Sequence, residues 1–134
     1  MKRMIGLCVV VLCFVSTYGQ NTLNFCASVE QNGYCNFNNI KFITSPDSTN
    51  GRVFMQVKGT NAPIGAAKVI FKIYKIDATG KEKFENMLTQ DIKPEWYFAW
   101  MPYVFASPGK YSVKIFNEND QQICTNGFEL IAFK

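Results

Sequence analysis

The sequence predicts an all-β protein, an antiparallel sandwich of about seven or eight strands. Three observations point there. Short runs rich in β-branched and aromatic residues recur at regular spacing along the chain. Turn residues separate them, among them Asn32-Gly33, Pro46-Asp47, Asn50-Gly51 and Gly80. Helical periodicity is almost absent, and that combination is the signature of stacked antiparallel sheets.

The first nineteen residues stand apart from this pattern. Lys2 and Arg3 precede an apolar run from Met4 to Val15, and the small residues Thr17 and Gly19 sit where cleavage before Gln20 needs them. This is the grammar of a secretory signal peptide. The run is shorter than the roughly 20 apolar residues of a spanning helix. Cys8 and Cys13 each follow a leucine, where a lipoprotein signal favours a small residue. Residues 1–19 are therefore expected to be removed, leaving one domain, residues 20–134, too short for two. The mature protein is expected to be secreted, extracellular or periplasmic, with no transmembrane span.

Each later run justifies a strand. "NFCASVE" leads into Asn32-Gly33, a reversal because both residues tolerate positive φ. "NNIKFIT" runs into the loop "SPDSTNG", and "RVFMQVK" into the loop "GTNAPIG". In "KVIFKIYKI", Val69, Phe71 and Ile73 point to one side, and Lys68, Ile70, Lys72 and Tyr74 to the other. Such alternation marks a half-buried strand. "KFENMLTQDI" is a weaker strand. Phe84, Met87 and Leu88 fall at helical spacing, which leaves a helical turn open there. Pro94 interrupts the ladder before "EWYFAWMPYVFA", because proline has no N–H to donate. "KYSVKIF", the turn "NENDQ" and "QICTNGFELIAF" form a closing hairpin, with Asn126-Gly127 marking a bulge.

Cys26, Cys35 and Cys124 remain after the leader, so at most one internal disulfide forms and one thiol is left over. Export favours an oxidised pair. Cys26 with Cys35 is the local pairing, and either with Cys124 would tie the N-terminal segment to the last strand. Spacing leaves the connectivity open.

At "SPGKYSVKIF" the sequence resembles the corner of immunoglobulin-like sandwiches. There a tyrosine near the start of the penultimate strand hydrogen-bonds back across the turn, and Tyr111 matches it. Val113 occupies the place where antibody domains keep a cysteine. The longer stretch from residue 68 to 120 resembles small secreted bacterial proteins with an immunoglobulin-like β-sandwich, largely uncharacterised in function. The resemblance implies that fold and export, and it carries over no catalytic or binding residue. A weaker resemblance, through Gly109, Tyr111 and Cys124, is to the MD-2-related lipid-recognition sandwiches. It implies sheets separated to hold acyl chains; the paired cysteines usual there are missing.

The chemistry of the chain argues against catalysis. With no histidine it has no Ser-His-Asp or Cys-His arrangement and no histidine base. Three scattered cysteines do not make a zinc set. "DSTNG" lacks the alternating oxygen ligands and closing glutamate of a calcium loop. No glycine-rich phosphate loop occurs, so neither metal nor cofactor is expected. Without Lys2 and Arg3 the net charge of +4 falls to +2, too little to imply nucleic acid.

Two surfaces remain as candidate sites. The aromatic run divides into Trp96, Phe98, Trp100, Pro102 and Val104 on one face and Tyr97, Ala99, Met101, Tyr103 and Phe105 on the other. The first face is expected to be core, the second a partly covered edge, with a carbohydrate or hydrophobic-ligand platform as the functional alternative. If "KVIFKIYKI" and "KYSVKIF" are neighbours, Lys68, Lys72, Tyr74, Lys110, Lys114 and Phe116 share a cationic face interleaved with aromatics. A solvated face that guards the sheet is the bland reading. The expected function is a secreted, non-catalytic binding or interaction module for an extracellular protein or an anionic glycan. The alternative is a carrier of lipid or another hydrophobic ligand between the sheets, in a cavity lined by Trp96, Phe98 and Trp100.

Overall fold

The computed structural model describes residues 21–44 and 50–133; the expected signal peptide and the proposed cleavage point lie outside them. Ten strands occur among the described residues. They are β1 (Asn21–Cys26), β2 (Ser28–Val29), β3 (Cys35–Asn36), β4 (Lys41–Ile43), β5 (Gly51–Gly59), β6 (Lys68–Ile76), β7 (Glu82–Asp91), β8 (Phe98–Phe105), β9 (Gly109–Phe116) and β10 (Gln122–Ile131). "KFENMLTQDI" is strand, not helix, because Phe71 and Leu88 pair across β6 and β7 and tertiary pairing overrides the short helical spacing.

Two sheets face each other. One has the order β1-β5-β8 and the other β4-β10-β9-β6-β7, while β2 and β3 form a separate two-stranded ribbon. The pairing is antiparallel except between β10 and β4, which run parallel at the edge of the larger sheet. This corrects the expectation of a wholly antiparallel sandwich: the chain crosses from one sheet to the other between β1 and β4, so β4 arrives alongside β10 in the same direction.

The inward side chains follow from period-2 alternation. Val69, Phe71 and Ile73 of β6 are fully buried, as their spacing predicts, and share one core with Val53, Met55 and Val57 of β5 and Phe25 of β1. Tyr111, Val113 and Ile115 of β9 and Phe128 and Leu130 of β10 complete the layer. The space between the sheets is therefore filled by side chains, not held open as the lipid-recognition resemblance implies.

The Tyr111 corner is present. Its hydroxyl donates to the Ser107 carbonyl at 2.6 Å, and its ring is buried beside Phe105 and Phe128. Lys75 Nζ donates to Ser107 Oγ and lies over the Tyr111 ring, so the corner is tied to β6 as well. Tyr111→Phe is expected to lower stability by about 1 kcal/mol, since the ring still packs while a buried hydrogen bond is lost. Denaturant unfolding checks this, and an unchanged midpoint would mean that the corner bond contributes nothing.

Three hairpin turns share one geometry. Glu30, Asp77 and Asn117 each donate a backbone N–H to the carbonyl four residues on, and each accepts from the N–H three residues on. The fourth residue is left-handed in each, at Gly33, Gly80 and Asp120, the three-residue loop that combines a type I turn with a bulge. At the first turn Gly33 adopts positive φ and Asn32 does not. The bulge expected at Asn126-Gly127 lies instead near Ile123, where the β9–β10 register shifts. Gly127 stays in register, opposite Ser112. A Cβ there would stand 2.9 Å from the Tyr111 carbonyl oxygen, so close approach of two strands explains the glycine.

Candidate functional site

The aromatic run is turned the opposite way from the expectation. Ala99 and Phe105 are the buried residues of β8, with Met101 and Tyr103 packed against the core. Trp96, Phe98, Trp100, Pro102 and Val104 lie outward, on the far side of the smaller sheet. Phe105 decides this. It must meet Tyr111 and Phe128, both 4.7–4.8 Å away between ring centroids, and alternation then sends every second residue outward.

These outward aromatics form a surface. The main chain leading into β8 is fixed by neighbouring loops: the carbonyls of Trp96 and Tyr97 accept from Ile64 and Gly59 N–H, each at 2.8 Å, and that of Pro94 accepts from Gly65 N–H. Trp96 is 41% exposed and Tyr97 53%. Phe98 and Trp100, two residues apart on the strand, stack with centroids 5.7 Å apart and planes inclined by 19°. Trp96, Tyr97, Phe98 and Trp100 line a cleft of about 280 Å³. The sequence marked Trp96 and Trp100 as ligand residues. Phe98, expected with them as the lining of a cavity between the sheets, lies beside them on the outer face instead. Tyr97 is the lining residue that sequence reasoning missed, and its contiguity in the chain is the signal that could have found it.

One of the cleft's lining residues, Phe98, packs against the turn that joins β2 and β3. The bond between Cys26 and Cys35 settles the open connectivity in favour of the local pair, and it holds the β2–β3 ribbon against the smaller sheet. A Cβ on Gly33 would stand 2.5 Å from the Phe98 ring, so only glycine fits that approach. The Gly33 carbonyl accepts from Gln56 Nε2 at 2.5 Å, and Gln56 Oε1 accepts from Asn24 Nδ2 at 3.2 Å. Gln56 stands opposite Trp100 in the ladder and is 1% exposed. Both ends of its amide are thus engaged, as burial of a polar group requires.

The lysine surface is assembled as its strands predict. β6 and β9 are neighbours, with Lys72 opposite Lys114 and Tyr74 opposite Ser112. Like charges directly opposite repel, and the interleaved aromatics offset this: Lys72 Nζ lies 4.2 Å from the Phe116 centroid, and Lys114 Nζ 4.7 Å from that of Tyr74. Lys114 also pairs with Glu82 at 2.9 Å. The hydrogen bond from Lys114 holds the Glu82 carboxyl below the usual range, and the same bond raises the Lys114 ammonium above its own. Lys68 stands opposite Asp91. Lys110 stands opposite Glu129, at a separate hollow of about 260 Å³ near Lys41. The six residues share a face, yet acidic neighbours punctuate its cationic field.

Among the described residues Cys124 is the free cysteine, and burial pushes its thiol up to about 12, which disfavours the thiolate near neutral pH. Among the described residues no group of three or more His, Cys, Asp or Glu could hold a metal ion, and no helix is long and apolar enough to cross a membrane.

Comparison with known proteins agrees at the level of fold. An immunoglobulin-like protein (PA1606) from Pseudomonas aeruginosa superposes with a TM-score of 0.51 at 10% identity, covering 84% of this chain and 98% of that one. The PmoD soluble domain from Methylocystis sp. ATCC 49242 (Rockwell) superposes with a TM-score of 0.47 at 18% identity, covering 84% and 90%. No family model matches the chain, and no curated protein matches it. The fold is an immunoglobulin-like β-sandwich; likeness at such identity speaks to fold alone.

Proposed function

We propose that the protein is an exported, non-catalytic binding module that holds its ligand on the aromatic cleft of the smaller sheet. The observation that carries this reading is the outward clustering of Trp96, Tyr97, Phe98 and Trp100 around one cleft. Burying these rings in the core would gain more than leaving them exposed, so their outward placement is the feature that a ligand would explain. Rings presented this way favour a ligand with flat apolar faces, and a neutral sugar ring, with hydroxyls at its rim, has that character. The leader pattern and the Cys26–Cys35 bond support export.

Both tryptophans of the chain lie in the cleft, so their emission reports on it directly. Titration with cellohexaose, chitohexaose and maltohexaose is expected to give a saturable change for at least one. Trp100→Ala should weaken that binding by about ten- to thirty-fold, the loss typical of a central aromatic contact. The lysine face is the second reading, supported by the direct juxtaposition of Lys72 and Lys114. An anionic glycan such as a heparin oligosaccharide would be its ligand. Binding that falls with salt and with Lys72→Gln plus Lys114→Gln, yet ignores Trp100→Ala, would move the site there and sink the aromatic reading.

A further inference from the structure

We propose that the β2–β3 ribbon is the adjustable wall of the aromatic cleft, and that the Cys26–Cys35 bridge makes the cleft redox-dependent. This rests on the reading of the cleft as the binding site. The ribbon is slight: each strand has two residues, and most of its side chains are exposed or half-buried. A two-stranded hairpin of that kind is marginal by itself in water. Its attachment to the sandwich runs through the bridge, through Gly33 against Phe98 and Gln56, and through backbone bonds such as Asn39 N–H to the Phe25 carbonyl.

Opening the bridge removes the covalent part of that attachment. When Gly33 leaves, Phe98 loses the backbone packed on its ring, and Gln56 loses the acceptor of its Nε2. A buried amide donor cannot stay unpaired without cost, so water enters beside Trp100. The cleft then changes from a wall of stacked rings to a wetter, less ordered face. Affinity for a ligand that stacks on those rings falls, because the site is no longer pre-organised.

The step requires a dithiol reductant. One thiolate of the dithiol attacks the sulfur of Cys35, the more exposed of the two, and the Cys26 thiolate leaves. The second thiol of the reductant then displaces Cys35. Two electrons and two protons pass to the cysteine pair, and the reductant departs as its own disulfide. Cys124 lies on β10, half-buried against the core, and stays a thiol.

Acrylamide quenching of the two tryptophans tests the wall without any ligand. Reduction by dithiothreitol, verified by alkylation of two further cysteines, is expected to raise the quenching constant about two-fold and to shift emission to the red, as local opening exposes the rings. Unchanged quenching in a reduced protein that keeps its native circular dichroism would overturn the proposal. Should reduction unfold the whole domain, Gly33→Ala decides with the bridge intact. Its Cβ must displace Phe98, so quenching should rise, and an unchanged value overturns the proposal equally. With an oligosaccharide that binds the oxidised protein, reduction should weaken binding about ten-fold. If quenching responds and no oligosaccharide binds either form, the sugar reading fails and the wall stands.

Discussion

Replacing Phe128 with alanine is expected to destabilise the domain by about 3–5 kcal/mol. Phe128 is 4% exposed and stands where the two sheets meet. Its ring centroid lies 4.7 Å from Phe25 of β1, 4.8 Å from Phe105 of β8, 5.5 Å from Tyr111 of β9 and 5.9 Å from Phe42 of β4. Alanine would remove the ring that all four touch and leave a void that stiff aromatic neighbours cannot fill. Phe128→Leu should cost less, about 1–2 kcal/mol, because much of the volume is kept. Urea unfolding of the three proteins checks the order. A loss below about 1 kcal/mol for the alanine variant would mean that the ring cluster does not join the sheets as described.

Removing the bridge by Cys26→Ala with Cys35→Ala is expected to lower stability by about 2.5–3 kcal/mol, from the loop-closure entropy of a short cross-linked segment. The bridged residues are separated by nine positions in the chain, and Cys26 is fully buried at the end of β1. The variant should also free the ribbon, so tryptophan quenching should change along with the unfolding midpoint. A midpoint equal to wild type would show that the ribbon is held without the bridge.

The two variants probe parts of the molecule that the sequence revealed unequally. The strands of the second half were legible because their alternation is strict: "KVIFKIYKI" and "KYSVKIF" each have one consistently apolar face, and those faces are buried. Tyr111 was legible because a corner tyrosine follows a proline-glycine turn at a set spacing. The aromatic run was not, since both of its faces are apolar. Alternation groups its side chains without saying which group faces the core. The short strands β2 and β4 lie within the longer runs "NFCASVE" and "NNIKFIT", and β3 falls in neither, for a related reason. Their lengths depend on where a partner ends, and local propensity cannot see the partner.

By itself, the sequence determined the all-β class, the immunoglobulin-like corner, the three hairpin turns at Gly33, Gly80 and Asp120, and the shared face of Lys68, Lys72, Lys110 and Lys114. Each is encoded locally, by period-2 alternation or by residues that a particular turn requires. Tertiary structure alone decided three things: which side of β8 faces water, which cysteines pair, and where the ribbon lies. Phe105 settles the first by meeting rings from β9 and β10. The second follows from the return of β3 beside β1, which brings the Cα atoms of Cys26 and Cys35 to 5.4 Å. The third follows from the approach of Gly33 to Phe98. All three depend on contacts between segments distant in the chain or on the path of a loop, and no local pattern specifies those.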